Sequence, residues 1–150
     1  MSEHKATIRW KRETKDFAYD TFDRTHDIVF EGGTRCKASS AKEFLGNAAL
    51  VNPEELLAAA LSNCHMLTFL AIAAKSRLIV DSYEDTAVAL LDKNSAGKFA
   101  VTKTTLRPKV TFAKETPVTP EKIAELHEKA HRNCFIANSV ACEVVTEPVL

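Results

Sequence analysis

The stretch from Asn52 to Lys75 constrains this chain more than any other. Asn52 can accept hydrogen bonds from the first free amides of a helix, and Pro53 has the fixed φ that suits the first helical position. Glu54 and Glu55 complement the positive end of the helix dipole. The sequence therefore predicts a helix over about Pro53 to Lys75, on the order of 35 Å long at the standard rise. Apolar residues cover nearly every face of it as far as Ala74, so it must lie inside a core or an interface. Leu56 to Ala74 comes near the length of a membrane span, but Ser62, Asn63, His65 and Thr68 interrupt it and no basic cluster precedes it. A membrane role is not expected. Cys64 sits deep inside this apolar stretch.

The rest of the chain reads as strands around that helix. A strand is expected at about Lys5 to Arg12, then a hairpin of about Asp27 to Phe30 and Thr34 to Ala38 turning at Gly32-Gly33. Two long strands are expected at about Ile79 to Leu91 and Phe99 to Phe112, joined by a polar turn through Asn94 and Gly97 and forming a meander. Thr119-Pro120-Glu121 caps a second helix to about Asn133, with Ile123, Leu126, His127 and Ala130 along one apolar stripe. A last strand covers about Ala141 to Val145. Strands before and after two helices, with no repeat or linker, give an α+β fold, and 150 residues fit a single domain over 1–150.

Lys plus Arg and Asp plus Glu each number 20, so the chain carries no net charge and a nucleic-acid or anionic-membrane partner is not expected. The N-terminus lacks the apolar core of a secretory signal, which makes a cytoplasmic location the expectation. Four cysteines, Cys36, Cys64, Cys134 and Cys142, form no C-x-x-C pair and are expected as free thiols in a reducing compartment. Cys36 and Cys142 fall in strand-like segments and read as small buried hydrophobes.

The pattern Asn52-Pro53-Glu54 leading to Cys64, with a second thiol at Cys134 before Asn138-Ser139-Val140, resembles the OsmC/Ohr superfamily. The order of strands and helices agrees with that resemblance. It implies an intertwined homodimer with two antiparallel sheets around long central helices, and a thiol peroxidase acting on organic hydroperoxides. Carried over to this chain, it makes Cys64 the thiol that attacks the peroxide, Cys134 the resolving thiol, and Glu54 the carboxylate that orients an arginine. Arg24 is the best local match for that arginine and Arg12 the second choice.

Cys64 lies about three turns into its helix, beyond the reach of the dipole, so a reactive thiolate there needs a cation from elsewhere. A guanidinium such as that of Arg24 stays charged and can be held in bidentate geometry by a carboxylate such as Glu54. Glu54 and Cys64 stand ten residues apart, about 15 Å along one helix, so one helix cannot place both in one pocket. Two helices crossing antiparallel near Ala58 to Ala60 could, which calls for a two-fold dimer. Glu54 can equally be read as a residue that only caps its helix.

The expected reaction partners are an organic hydroperoxide and an external dithiol reductant, with no cofactor. A different reading takes His127, His131 and Cys134, on nearly one helical face, with His65 as a further ligand, for a zinc site, although a solvated polar stripe explains the two helical histidines more simply. A small-ligand-binding protein with little peroxide turnover is another. His65 is either a packed core histidine or a modulator of its neighbour.

Overall fold

A computed structural model describes residues 1–149 of the chain, which divides into two compact units, Met1–Leu56 and Leu57–Leu150. In the first unit, strands β1 (Ala6–Arg9), β2 (His26–Phe30) and β3 (Arg35–Ala38) form one antiparallel sheet in that order. The β2–β3 hairpin turns where the sequence places Gly32-Gly33. Gly33 has φ of 89°, a left-handed backbone that a residue without Cβ adopts freely. β1 ends three residues short of the expected Arg12. Its continuation is drawn away as Trp10 Nε1 donates to the Asp23 carbonyl at 2.7 Å and Arg12 Nη1 to the Lys15 carbonyl at 2.8 Å. All of β1 is exposed, and the buried positions of this unit include Ile28, Ala38 and Ser39.

Helix α1 (Pro53–Lys75) has the bounds that the sequence predicts. Asn52 Oδ1 accepts from the Glu55 amide, and Glu55 Oε2 from the Asn52 amide, both at 2.9 Å. That reciprocal capping box fixes the first turn. Ala58, Leu61, His65, Phe69 and Ala73 recur every three or four residues and are buried, whereas Leu67 keeps 57% of its surface exposed. One stripe of an all-round apolar helix is covered and another is open.

In the second unit the two long strands of the sequence reading are each broken into two: β4 (Val80–Asp85) and β5 (Val88–Lys93), then β6 (Phe99–Leu106) and β7 (Pro108–Phe112). β4 pairs with β7 and β5 with β6, both antiparallel, so the chain changes sheets at Thr86-Ala87 and again at Arg107. Asp85 holds this corner. Its Oδ1 accepts from the Arg107 amide at 2.6 Å and its Oδ2 from Ser62 Oγ of α1 at 2.5 Å. The last strand, β8 (Glu143–Thr146), joins β6 in parallel, giving a sheet of order β5-β6-β8. Helix α2 (Pro120–Asn133) is capped by Thr119, whose Oγ1 accepts from the Lys122 amide. The core of the unit is Phe69 and Ala73 of α1 against Leu126 and Ala130 of α2, with Tyr83, Val110 and Phe112 from the sheet. The α+β class follows directly from these elements.

Candidate functional site

The two cysteines singled out by the sequence, 70 residues apart, are brought together in the second unit. α1 carries Cys64 half-buried on its flank, and the end of α2 carries Cys134 at 1% exposure. Cys134 is the residue at which α2 stops: its amide still bonds the His131 carbonyl while its own ψ is already extended. The backbone then folds back so that the Ala137 amide donates to Cys134 Sγ at 3.4 Å. Burial, and then the adjacent Cys64 thiol, push the Cys134 pKa up to about 11, against the lowering pull of the Ala137 amide. Cys134 is therefore a neutral thiol at physiological pH.

Cys64 faces a cleft of about 730 Å³ between α1 and the segment after α2, with walls from Leu67, Ala71 and Ile72 on one side and Phe135 and Ile136 on the other. Asn63, Thr68, Asn133 and Lys75 are its polar lining residues. Positions 64, 68, 71 and 75 fall on one face of a 3.6-residue helix, so the cleft runs along α1 from the thiol towards its C-terminus. An apolar trough that exposes one thiol, with a second thiol buried against it, suits a hydrophobic substrate carrying one reactive polar group.

Arg24 and Glu54 lie in the first unit. Arg24 Nη1 donates to the Phe22 carbonyl at 2.9 Å and Nη2 to the Tyr19 carbonyl at 2.6 Å, and the guanidinium stacks 3.9 Å over the Phe22 ring. It lines an apolar hollow of about 430 Å³ with Ile8, Trp10, Phe17, Phe22 and His26. Arg12 is exposed and is tied to local carbonyls instead. The capping role that could have accounted for Glu54 belongs to Glu55, and Glu54 Oε2 is buried with no hydrogen-bond partner among the described residues.

The structure also makes a pair that the sequence reading treats as separate residues. His65 Nε2 and His127 Nδ1 lie 3.0 Å apart, with the rings nearly parallel at 9°, and the His127 ring packs 4.4 Å from Phe69. Burial holds both imidazoles at a pKa of about 4; the nearby His131 lowers His65 further while Asp85 opposes. His127 is 2% exposed, so the expected solvated polar stripe is corrected at this position. Its place in the apolar stripe with Leu126 and Ala130 was the signal for burial. The zinc set of His65, His127, His131 and Cys134 is not assembled: His65 bonds His127, Cys134 adjoins Cys64, and among the described residues no group of three or more His, Cys, Asp or Glu is placed to hold a metal.

The sequence model of the family described as OsmC-like protein matches residues 46–148. The chain is similar to a solved OsmC-like protein of unknown function from Vibrio cholerae, with 48% identity and a TM-score of 0.95, covering 99% of this chain and 100% of that one. An organic hydroperoxide resistance protein from Elizabethkingia anophelis aligns at 20% identity and a TM-score of 0.74, over 99% of this chain and 94% of that one. The organic hydroperoxide resistance protein OhrB of Bacillus subtilis aligns at 22% and 0.71, over 99% and 98%. At those identities the last two establish a shared fold. Comparison with curated protein sequences gives no match.

Proposed function

The chain belongs to the OsmC-like family, and on that premise we propose that it is a cysteine-based thiol peroxidase that reduces organic hydroperoxides. The observation that carries this reading is the asymmetry of the thiol pair. Cys64 opens on the apolar cleft, while its neighbour Cys134 is buried and held protonated. The order of reaction follows. The Cys64 thiolate attacks the O–O bond, the distal oxygen transfers to sulfur as a sulfenic acid, and the alkoxide leaves as an alcohol after taking a proton. The Cys134 thiol then condenses with the sulfenic acid, forming a disulfide and releasing water. An external dithiol restores both thiols by exchange and is itself oxidised to a disulfide. The apolar walls favour alkyl or acyl hydroperoxides over hydrogen peroxide.

Arg24 is proposed as the cation that steadies the Cys64 thiolate and Glu54 as its orienting carboxylate. Their chemistry supports those roles: Arg24 is a permanent charge with several donors, and Glu54 has a carboxylate oxygen that no capping bond uses. Nη1 and Nη2 of Arg24 each give one N–H to a local carbonyl, which leaves three of the five guanidinium N–H groups for a thiolate and a carboxylate. A homodimer is part of the proposal. The exposed Leu67 on α1 is a feature that a second copy packed along this helix would cover.

The test is turnover of cumene hydroperoxide by reduced protein with a dithiol, compared with hydrogen peroxide and with Cys64→Ser. Preference for the organic peroxide, lost in the variant, is expected. Consumption that Cys64→Ser leaves intact would refute the assignment.

A further inference from the structure

A second cavity in the Leu57–Leu150 unit, of about 260 Å³, lies between α2 and the C-terminal strand and belongs to no part of the thiol site. Three of its lining side chains carry a buried polar atom without a partner among the described residues: His127 Nε2, His131 Nδ1 and Thr146 Oγ1. A spacing of four sets the two histidines on one face of α2. His127 is almost wholly buried, and its Nδ1 is already committed to His65 Nε2. Nε2 is the ring nitrogen left without a partner among the described residues.

The sign of the lining decides what could fill it. Among the described residues no Lys or Arg lines this cavity, and the one charged lining residue is the carboxylate Glu128, which pairs with Arg132 Nη1 at 2.9 Å. An anion finds no counter-charge there. Two imidazole nitrogens and a hydroxyl oxygen are instead donors to a cation of borderline softness. The His65 contact completes the pattern. In the tautomer that carries its proton on Nδ1 and donates it to His65, His127 has a free lone pair on Nε2, the atom a metal would take, and the bond to His65 then orients the ligating ring.

From this geometry we propose that the cavity binds one divalent transition-metal cation of the zinc class through His127 Nε2 and His131 Nδ1, with Thr146 Oγ1 and solvent completing the coordination. The site is open, with two imidazole ligands, so its affinity falls well below that of a closed four-ligand structural site. Occupancy would join α2 to β8 and stabilise the folded chain by an amount that grows with the logarithm of the free metal concentration once this exceeds the dissociation constant.

Cobalt(II) is the probe, titrated into the reduced full-length protein at pH 7.5 and followed by visible absorption. The expected result is one cobalt per chain with weak visible bands and no thiolate charge-transfer band, and an affinity at least tenfold lower in His131→Ala. Paramagnetic broadening of the His127 and His131 ring signals in the wild-type protein gives the same answer without a variant. Charge-transfer bands that vanish in Cys64→Ser would put the metal on the thiol pair and overturn the proposal. So would an affinity that His131→Ala leaves unchanged, or no cobalt uptake at all.

Discussion

Cys134 should titrate far above an ordinary cysteine, and this can be read directly from its alkylation. Burial is the first cause and the adjacent Cys64 thiol the second, together moving the pKa from 9.0 to about 11. Two pH units mean about a hundredfold less thiolate at pH 7.5, since only the ionised form reacts. Limited access to the buried sulfur lowers the whole rate curve but leaves its midpoint in place. Native protein treated with iodoacetamide from pH 7 to 11.5, with Cys134 quantified by peptide mass spectrometry, should show a rate rising about tenfold per pH unit until near pH 11. Replacing the neighbour in Cys64→Ala should lower the midpoint while leaving it above 9.0, because burial persists. The stability linkage has the same origin. The folded state keeps the Cys134 proton longer than the unfolded chain does, so this contribution is present below pH 9 and is lost as pH rises towards 11. A wild-type midpoint at or below 9 would refute the account of the thiol pair and, with it, the assignment of Cys64 as first attacker.

Other expectations follow from single contacts. Arg24→Ala should slow oxidation of Cys64 by on the order of 10²-fold, the cost of removing a preorganised donor, as measured by stopped-flow peroxide consumption; an unchanged rate would move the role to another residue. Asp85→Ala removes the acceptor of both Ser62 Oγ and the Arg107 amide and should destabilise the second unit by about 2–3 kcal/mol in urea unfolding. Gly46→Ala places a methyl group 1.6 Å from the Ser40 carbonyl oxygen, so the loop must shift, at a cost of roughly 1–3 kcal/mol or more in the same assay. Asn52→Ala breaks the capping box at the start of α1 and should cost about 1 kcal/mol.

Helix ends were legible because their signals are local. Asn52 and Pro53 start α1, and Thr119 with Pro120 starts α2, each within a few residues of the boundary. The breaks in the long strands were not legible. Residues 85–88 and 106–108 continue a strand-like pattern while the partner strand changes, and the deciding hydrogen bonds, from Asp85 to Arg107 and Ser62, join residues 22 and 23 positions apart. The parallel docking of β8 on β6 likewise depends on distant partners. Within the candidate site, the pairing of Cys64 with Cys134 came from the family resemblance, because spacing alone does not choose among four cysteines. The His65–His127 pair had no sequence sign beyond two histidines on apolar stripes: 62 residues separate them, and neither is accompanied by a motif. Glu54 and Glu55 show the limit at one-residue scale. Either could cap α1 by type, and only the geometry assigns the cap to Glu55 and leaves Glu54 free.

The most direct measurement is a single turnover. Fully reduced protein is mixed with one equivalent of cumene hydroperoxide, quenched with an alkylating agent, and mapped by mass spectrometry. The proposed chemistry predicts a chain lighter by two hydrogens, with Cys64 and Cys134 joined in one disulfide-linked peptide pair and Cys36 and Cys142 alkylated. Recovery of Cys64 and Cys134 as free alkylated thiols after the peroxide has gone, or a disulfide that excludes Cys64, would contradict it.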